Sequence, residues 1–593
     1  IAARDGDVVF QGNTAGANDD ANSVFVADNG MLSVGAEEGR TIWFYDPIDG
    51  GRTDENLALL INESGRGFSG TVVFDQHTSN FDGHVRVEGG TMVLQNGASI
   101  GMDGPDGNND DFTILPGATL VVAYEQPTRT FTPVYDDEGN LLRVDSDTTT
   151  PAFDPDHTSY IYADTATFDG ANLRFVLPRA KVDLSTPLLT VSEDPDVDGP
   201  VTFTGAKVRI VLPTDAPIYQ KGDAILLVKG DDGGIADRPH DHIGTARAKQ
   251  GSMLAYDFHL HTFENDLVAV LPDEPTTSEE APLVSQANLG AVAALMSGLD
   301  MAAGDGMAAM ASKIRHGRGR NVFGLVSGTS SRYKTGSHVD IEGVTGMVGA
   351  TGDWEYAAGD LMAAGFFTSG TAHYAAVRNA YGQRVTARGD TSYTGAGLMG
   401  RFEFRGDGNG YPYLDASLQG GESRMNFHSR DLRDEITGME ARFKSKAPYY
   451  AAHLGGGYVW KLADAGKVET YLTYLAVRRD AEQLRLNTGE RLHFAAVTSQ
   501  RLRLGARRMW LVNNRWQPFV GLAAEEEFSG RARASAQGLR IDEPEIRGAN
   551  GVAEIGLRVV DAQDEALTID LALHGYVGRR RGVAGMFRGE YKF

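Results

Sequence analysis

The chain has 593 residues, 73 glycines, no cysteine and a formal net charge of −25. Its length exceeds one ordinary core, so two or more domains are expected, and the missing cysteines exclude a disulfide framework and thiolate metal sites. Acidity of this degree excludes nucleic acid as a partner; no apolar run approaches the roughly 18–20 residues of a membrane helix, so any membrane-embedded part must be a closed barrel.

The charge is uneven. Residues 1–283 hold roughly 17 basic and 47 acidic groups, about −30, and the remainder is about +5. Ile1-Ala-Ala-Arg-Asp5 has neither the basic start nor the apolar stretch of a signal peptide. Ile1 therefore reads as an interior position of a longer precursor.

Residues 1–200 consist of short β-branched or aromatic runs bounded by turn residues, the pattern of strands. Examples are Asp7–Phe10, Ser23–Val26, Thr41–Tyr45, Gly70–Phe74, Thr91–Leu94 and Ala118–Val122. They recur at roughly 17–25 residues, which suits the coils of a solenoid, and a right-handed parallel β-helix satisfies the pattern. An antiparallel sandwich array is the alternative. Phe10-Gln-Gly-Asn13, Gly39–Ile48 and Gly89–Ala98 resemble motifs of polymorphic outer-membrane-protein passengers. That resemblance implies a surface-displayed β-helix, often adhesive.

Candidate metal features are incomplete. Asp194-Pro-Asp-Val-Asp-Gly199 begins like a calcium loop, but its twelfth position falls on Gly205 where a bidentate acid is needed. Asp103–Asp111 is a weaker version. His240 with His242, and His259 with His261, would suit zinc or copper if the two pairs met; the pattern by itself reads as exposed polar strand faces. No metal and no cofactor is expected. Nucleophile elbows, metalloprotease helices and phosphate loops are missing from the sequence, so no catalytic residue is assigned and the chain is not expected to be an enzyme.

Residues 201–270 return to strand runs and, by position, resemble an autochaperone-like end of the passenger. Residues 271–283 form a Pro-, Thr- and acid-rich linker. Residues 284–317, rich in Ala, Met and Leu, make the one clear helix, about 45 Å long if continuous. Gly298, Gly304 and Gly306 weaken it and are the places where it could break. Small side chains suit a narrow pore, and Asp300 and Asp305 argue against lipid on all sides.

Residues 318–593 contain 12 alternating segments, centred on Phe323, Ile341, Gly365, Leu398, Leu414, Ala452, Leu472, Val497, Val520, Ile555, Leu571 and Phe587. An even count suits an antiparallel transmembrane barrel. Long connections are expected at 369–391, 424–447, 478–492 and 526–548, on the outside, and short turns at 405–410, 463–466 and 512–515. The short connection at Arg579–Arg581 breaks this rhythm. Arg388-Gly-Asp390 falls in an expected outer loop and Arg405-Gly-Asp407 in an inner turn; chance explains both. The last strand alternates Val583, Gly585, Phe587, Gly589, Tyr591 and Phe593 on one face with Met586, Arg588, Glu590 and Lys592 on the other.

Thr391–Leu398, Pro448–Tyr458, Leu502–Ala506, Pro518–Leu522, Glu525–Ala534 and the aromatic last strand resemble the autotransporter C-terminal translocator. The resemblance implies an all-β chain: a β-helical passenger, then a 12-stranded antiparallel transmembrane β-barrel with a helix in its pore. It also implies a location in the Gram-negative outer membrane with the passenger at the cell surface. Implied partners are the lipid bilayer, periplasmic chaperones, the outer-membrane barrel-insertion machinery and, for an adhesin, ligands on host or neighbouring cells. Phe587, Tyr591 and Phe593 would be the membrane-assembly signal. Glu525 and Glu527 share one strand face, with Arg501, Arg503, Arg507 and Arg508 on or near the strand before, as candidate pore-lining charges. Hydrated pairs of this kind contribute about 0–1 kcal/mol each. Self-cleavage is not expected, because Asn288 is the helix's only Asn. The alternatives are a translocator for an enzymatic passenger encoded upstream of Ile1, and a solute porin with an extracellular appendage.

Overall fold

The computed structural model describes the chain except residues 16–19, 22–23, 28–29, 52–56, 76–79, 102–109, 137–140, 192–199, 231–240, 264, 311–319, 407, 463–465, 513–514, 561–565 and 593. It divides into two units, Ile1–Thr276 with Glu435–Thr437, and Thr277–Asp434 with Gly438–Phe593.

The first unit is a parallel β-helix. Val8–Phe10, Thr41–Phe44, Thr71–Asp75, Thr91–Gln95, Thr119–Ala123, Asn172–Val176 and Lys207–Leu212 stack in parallel register along one sheet. A second sheet runs from Ala2–Ala3 through Leu32–Ala36, Leu57–Ile61, His84–Val87, Asp111–Ile114 and Thr165–Thr167 to Val201–Thr202. Equivalent strands thus begin at Val8, Thr41, Thr71, Thr91 and Thr119, a wider and less regular spacing than the sequence suggested. The sequence reading had counted Val24–Val26, which belongs to a third sheet, as though it were equivalent.

Parallel register turns one apolar position per coil into a ladder. Phe10 pairs with Phe44 and Phe44 with Phe74, their rings stacked at 4.9 and 5.2 Å. The ladder continues through Leu94, Val122, Phe175 and Ile210. Burying such side chains on consecutive coils stabilises by roughly 1.5–3 kcal/mol each. At the corners Asn62 and Asn96 adopt φ of 52° and 57°, a left-handed conformation that Asn tolerates. Buried Asn62 accepts from the Ala36 amide (3.0 Å) and donates to the carbonyls of Gly70 and Gly89 (3.1 Å each), tying neighbouring coils together. The parallel coils continue past residue 201. At the end of the stack Asp241–Gln250 still runs parallel to Lys207–Leu212 but pairs antiparallel with Leu254–Phe263, and Asp266–Val270 pairs antiparallel with both Leu254–Phe263 and Ala224–Lys229.

The second unit is a closed barrel of twelve antiparallel strands. They are Arg320–Lys334, His338–Tyr356, Gly359–Ala380, Gln383–Phe404, Gly410–Arg433, Glu440–Lys461, Lys467–Arg479, Val497–Met509, Trp516–Glu527, Gly548–Val560, Leu567–Gly578 and Arg580–Lys592. The last strand pairs with the first, setting Phe587 against Val326 and Tyr591 against Val322. Apolar side chains face outward: Leu398, Leu418, Leu522 and Phe587 are all exposed, the inverse of a water-soluble protein and the pattern of a lipid-facing band. Trp354, Tyr356, Phe404, Trp460, Trp516 and Tyr591 are exposed at the end with the short turns, forming an interfacial girdle.

Two expected outer loops are not loops. Residues 369–391 are strand apart from the two-residue turn at Tyr381-Gly382, and most of 424–447 is strand as well. Strands here reach 24 residues, whereas about 9–11 cross a bilayer, so the wall continues above the membrane. Alternation outlasts the membrane, and this misled the reading. Arg388-Gly-Asp390 accordingly sits inside a strand, with Asp390 bonded to His373 and to Asn426 (3.0 Å). The other two long connections pair with each other as a four-stranded sheet of Glu482–Arg485, Arg491–Phe494, Ala534–Ala536 and Leu539–Ile541.

The helix runs Pro282–Met301, widens to a π turn at Ala302–Gly306 and continues through Met307–Met310, the last residues before 311–319, which lie outside the described residues. Gly298 does not interrupt it. Over its 29 residues it is long and apolar enough to cross a membrane, contrary to the sequence reading, yet it lies buried among barrel strands.

Candidate functional site

The lumen holds the helix, and polar side chains pin it there. Gln286 donates to Thr335 Oγ1 (3.1 Å), and Asn288 accepts from Arg479 (2.9 Å), which also donates to Ser445 (2.5 Å). All lie near the end of the barrel that carries the long connections. Asn288 is therefore a wall contact.

Further down, Asp300 meets three guanidiniums. One carboxylate oxygen accepts from Arg501 (2.7 Å) and Arg503 (3.0 Å), the other from Arg580 (3.0 Å). Glu525 sits on the same two arginines, at 3.3 Å from Arg501 and 2.6 Å from Arg503. Arg580 also lies over the Tyr576 ring at 3.6 Å. The side chains of Arg501 and Glu525 are buried, each 1% exposed, whereas Asp300 and Arg503 keep 11% and 14% exposure and border a cavity. Buried charges are tolerable only when paired with good geometry, and alternation places these partners on facing positions, Arg503 directly opposite Glu525.

Of the sequence-assigned charges, Arg501, Arg503 and Glu525 thus come together around the helix. Glu527 is also buried, but its carboxylate takes hydrogen bonds from Ser499 (2.5 Å) and from the amides of Gln500 (2.8 Å) and Ser529 (3.2 Å). It orders the strand end and its loop. Arg507 pairs with Glu554 at 2.8 Å, while Arg508 alternates to the other face and lies over Trp510. Sequence reasoning missed Arg580 and the helix-side Asp300 as partners. Arg580 also accounts for the short Arg579–Arg581 connection. A one-residue link with Gly578 and Gly582 at φ of 132° and 149° turns Arg580 into the lumen.

Gly298 and Gly290 have a steric cause, whereas a Cβ on Gly304 would meet nothing within 4 Å. A Cβ on Gly298 would stand 2.3 Å from Tyr393 Oη, and one on Gly290 3.2 Å from the Tyr374 ring. Below, Met301, Met307 and Met310 pack with Phe323, Met347, Phe366 and Met399 as an apolar seal. A cavity beside the helix remains, lined by Asp300, Asp305, Arg401, Glu469, Arg507 and Glu554 among others.

The membrane-assembly residues are placed in part. Phe587 and Tyr591 face outward, each about half exposed, and Phe593 lies outside the described residues. The Asp194–Gly199 calcium-like loop lies outside them too, as do residues 103–109 of the acidic run at 103–111 and His240. His242, His259 and His261 are described, and they meet on one hairpin face.

Two curated relatives match about a fifth of the chain. "Probable outer membrane protein pmp8" of Chlamydia pneumoniae is 26% identical over 144 residues, which is 21% of this chain and 15% of that protein. Pmp13 of the same organism is 26% identical over 143 residues, 20% of this chain and 15% of that protein. Among solved structures, the transport unit of the autotransporter AIDA-I from Escherichia coli is 14% identical, with a TM-score of 0.39, over 51% of this chain and 99% of that one. The translocator domain of NalP from Neisseria meningitidis is 15% identical, with a TM-score of 0.39, over 53% and 100%. Residues 322–564 match the family model of the autotransporter β-domain. Over residues 322–564 the barrel thus matches the autotransporter β-domain, a match that places the chain in the Gram-negative outer membrane.

Proposed function

We propose that the barrel exports and anchors the β-helical unit as a surface adhesin, after insertion by the outer-membrane barrel machinery. The observation that carries this reading is the path of the chain just before the helix. The Glu279 amide donates to Tyr381 Oη (3.2 Å), its carboxylate accepts from the Tyr381 amide (2.5 Å), and Thr277 donates to the Arg540 carbonyl (3.2 Å). Tyr381 is in a hairpin turn and Arg540 in the loop sheet. The linker therefore leaves through the mouth that carries the long connections, the outer mouth of such barrels. An adhesive role is supported by an acidic solenoid whose ladders build long continuous faces, a form suited to extended binding surfaces.

Protease applied to intact cells should remove the acidic half and spare a fragment of roughly the last 300 residues. Resistance of both halves, or loss of both, would show the topology to be wrong. Displayed on a non-adherent strain, the chain should raise attachment to host or neighbouring cells, and deletion of residues 1–270 should abolish that gain. Attachment unchanged by the deletion would end the adhesin reading while leaving the export reading intact.

A further inference from the structure

The hairpin that closes the β-helix carries three imidazoles on one face. Asp241–Gln250 and Leu254–Phe263 pair antiparallel with His242 opposite His261. His259 precedes His261 by two residues and so shares its side of the sheet. The ring centres of His242 lie 5.1 Å from His259 and 5.4 Å from His261, and those of His259 and His261 are 6.4 Å apart. Three imidazoles on one tetrahedral ion, with metal–nitrogen bonds of about 2.0–2.1 Å, place their ring centres about 5.2 Å apart. Two separations already match. The third exceeds the value by about an ångström, which side-chain rotation closes without moving the backbone.

We propose that His242, His259 and His261 bind a divalent transition-metal ion of the zinc or copper class. Two ligands at i and i+2 on one strand with a third directly across the ladder form a triangular set, and neutral imidazole favours these ions over calcium or magnesium. His242 is exposed and the other two half-buried, so an ion reaches them from solvent. On the next strand Val270 pairs with His259 and Val268 with His261. Val268 and Val270 pack with Phe263 and Leu226, giving one flank of the site an apolar border. The chain has 14 histidines and no cysteine, so no thiolate competes within it. Three protein ligands leave the fourth position to water. The bound ion cross-links the two long strands that close the solenoid, and it stabilises that end because the unfolded chain does not hold the three rings together.

The test is a Zn2+ titration of the purified full chain in detergent, read by competition with a chromogenic chelator. One equivalent should bind at micromolar Kd. His259→Ala and His261→Ala should each weaken binding at least tenfold, with the protease-resistant β-helix fragment retained. His574→Ala, which removes a lumen histidine 3.9 Å from Asp305, should leave the affinity unchanged. On the unaltered chain, Zn2+ should protect His242, His259 and His261 from carbethoxylation, read by peptide mass. Equal modification with and without Zn2+, unaltered affinity in the first two variants, or loss of binding in the third would overturn the site.

Discussion

Asp300 is one carboxylate facing Arg501, Arg503 and Arg580, and its removal leaves buried guanidiniums under-compensated. Breaking one partner of a buried ion cluster costs about 3–5 kcal/mol. Asp300→Asn should lower the temperature at which the barrel loses its folded gel mobility and raise single-channel conductance in planar bilayers. Unchanged conductance and melting would mean that the helix is held by packing alone. In the passenger, Asp110 is 4% exposed, and burial, aided by the nearby Asp82 charge, pushes its carboxyl up to about 6 despite a hydrogen bond from the Gly83 amide (2.9 Å). A free Asp titrates near 3.9, so the folded unit holds the extra proton between about pH 4 and 6, and stability falls as pH rises through that window. Asp110→Asn should therefore stabilise the β-helix at pH 7.5 by on the order of 2–3 kcal/mol. Denaturant titrations at pH 7.5 and below about pH 4 check the sign, since the gain must vanish at the lower pH. Sequence alone found Arg501, Arg503 and Glu525, because alternation on strands in register is legible. It could not find Asp300 or Arg580 as their partners, since contact between a helix and a distant hairpin depends on closure.

Among the elements, the pore helix shows how propensity misleads. Gly298 costs about 1 kcal/mol relative to Ala in a free helix, which is why the sequence suggested a break there. In the barrel the same glycine admits Tyr393, whose hydroxyl donates to Thr345 Oγ1 at 3.1 Å. Gly298→Leu should consequently lower the yield of heat-modifiable folded barrel, although it raises helix propensity. A yield equal to wild type would show that the wall gives way. The strands err in the opposite direction. Alternation marked where they are but not where membrane ends and free-standing wall begins, because an outward apolar position and an inward polar one repeat with the same period in both.

For the whole molecule, closure is the decisive event. Open edges cannot be satisfied in lipid, and the only pairing that removes them sets Arg580–Lys592 against Arg320–Lys334. Phe593→Ser, or its deletion, should reduce the amount of barrel recovered in outer-membrane fractions several-fold without lowering synthesis. Equal recovery would remove the terminal aromatic from the assembly signal. Composition, acidic asymmetry, the twelve alternating segments and the small-residue helix were enough to point to a strand-rich acidic unit followed by a transmembrane barrel, while the choice of β-helix over sandwich and the helix in the pore leaned on the resemblance to known passengers and translocators. Periodicity and turn chemistry are local and survive in one dimension. Only the tertiary structure decided which coils are equivalent, that Gly290 and Gly298 admit tyrosines of the wall, and that Arg501 and Glu525 are buried. It also brought His242, His259 and His261 to one face. Each of these depends on groups far apart in sequence, whose distances are set by register, closure and exclusion of water.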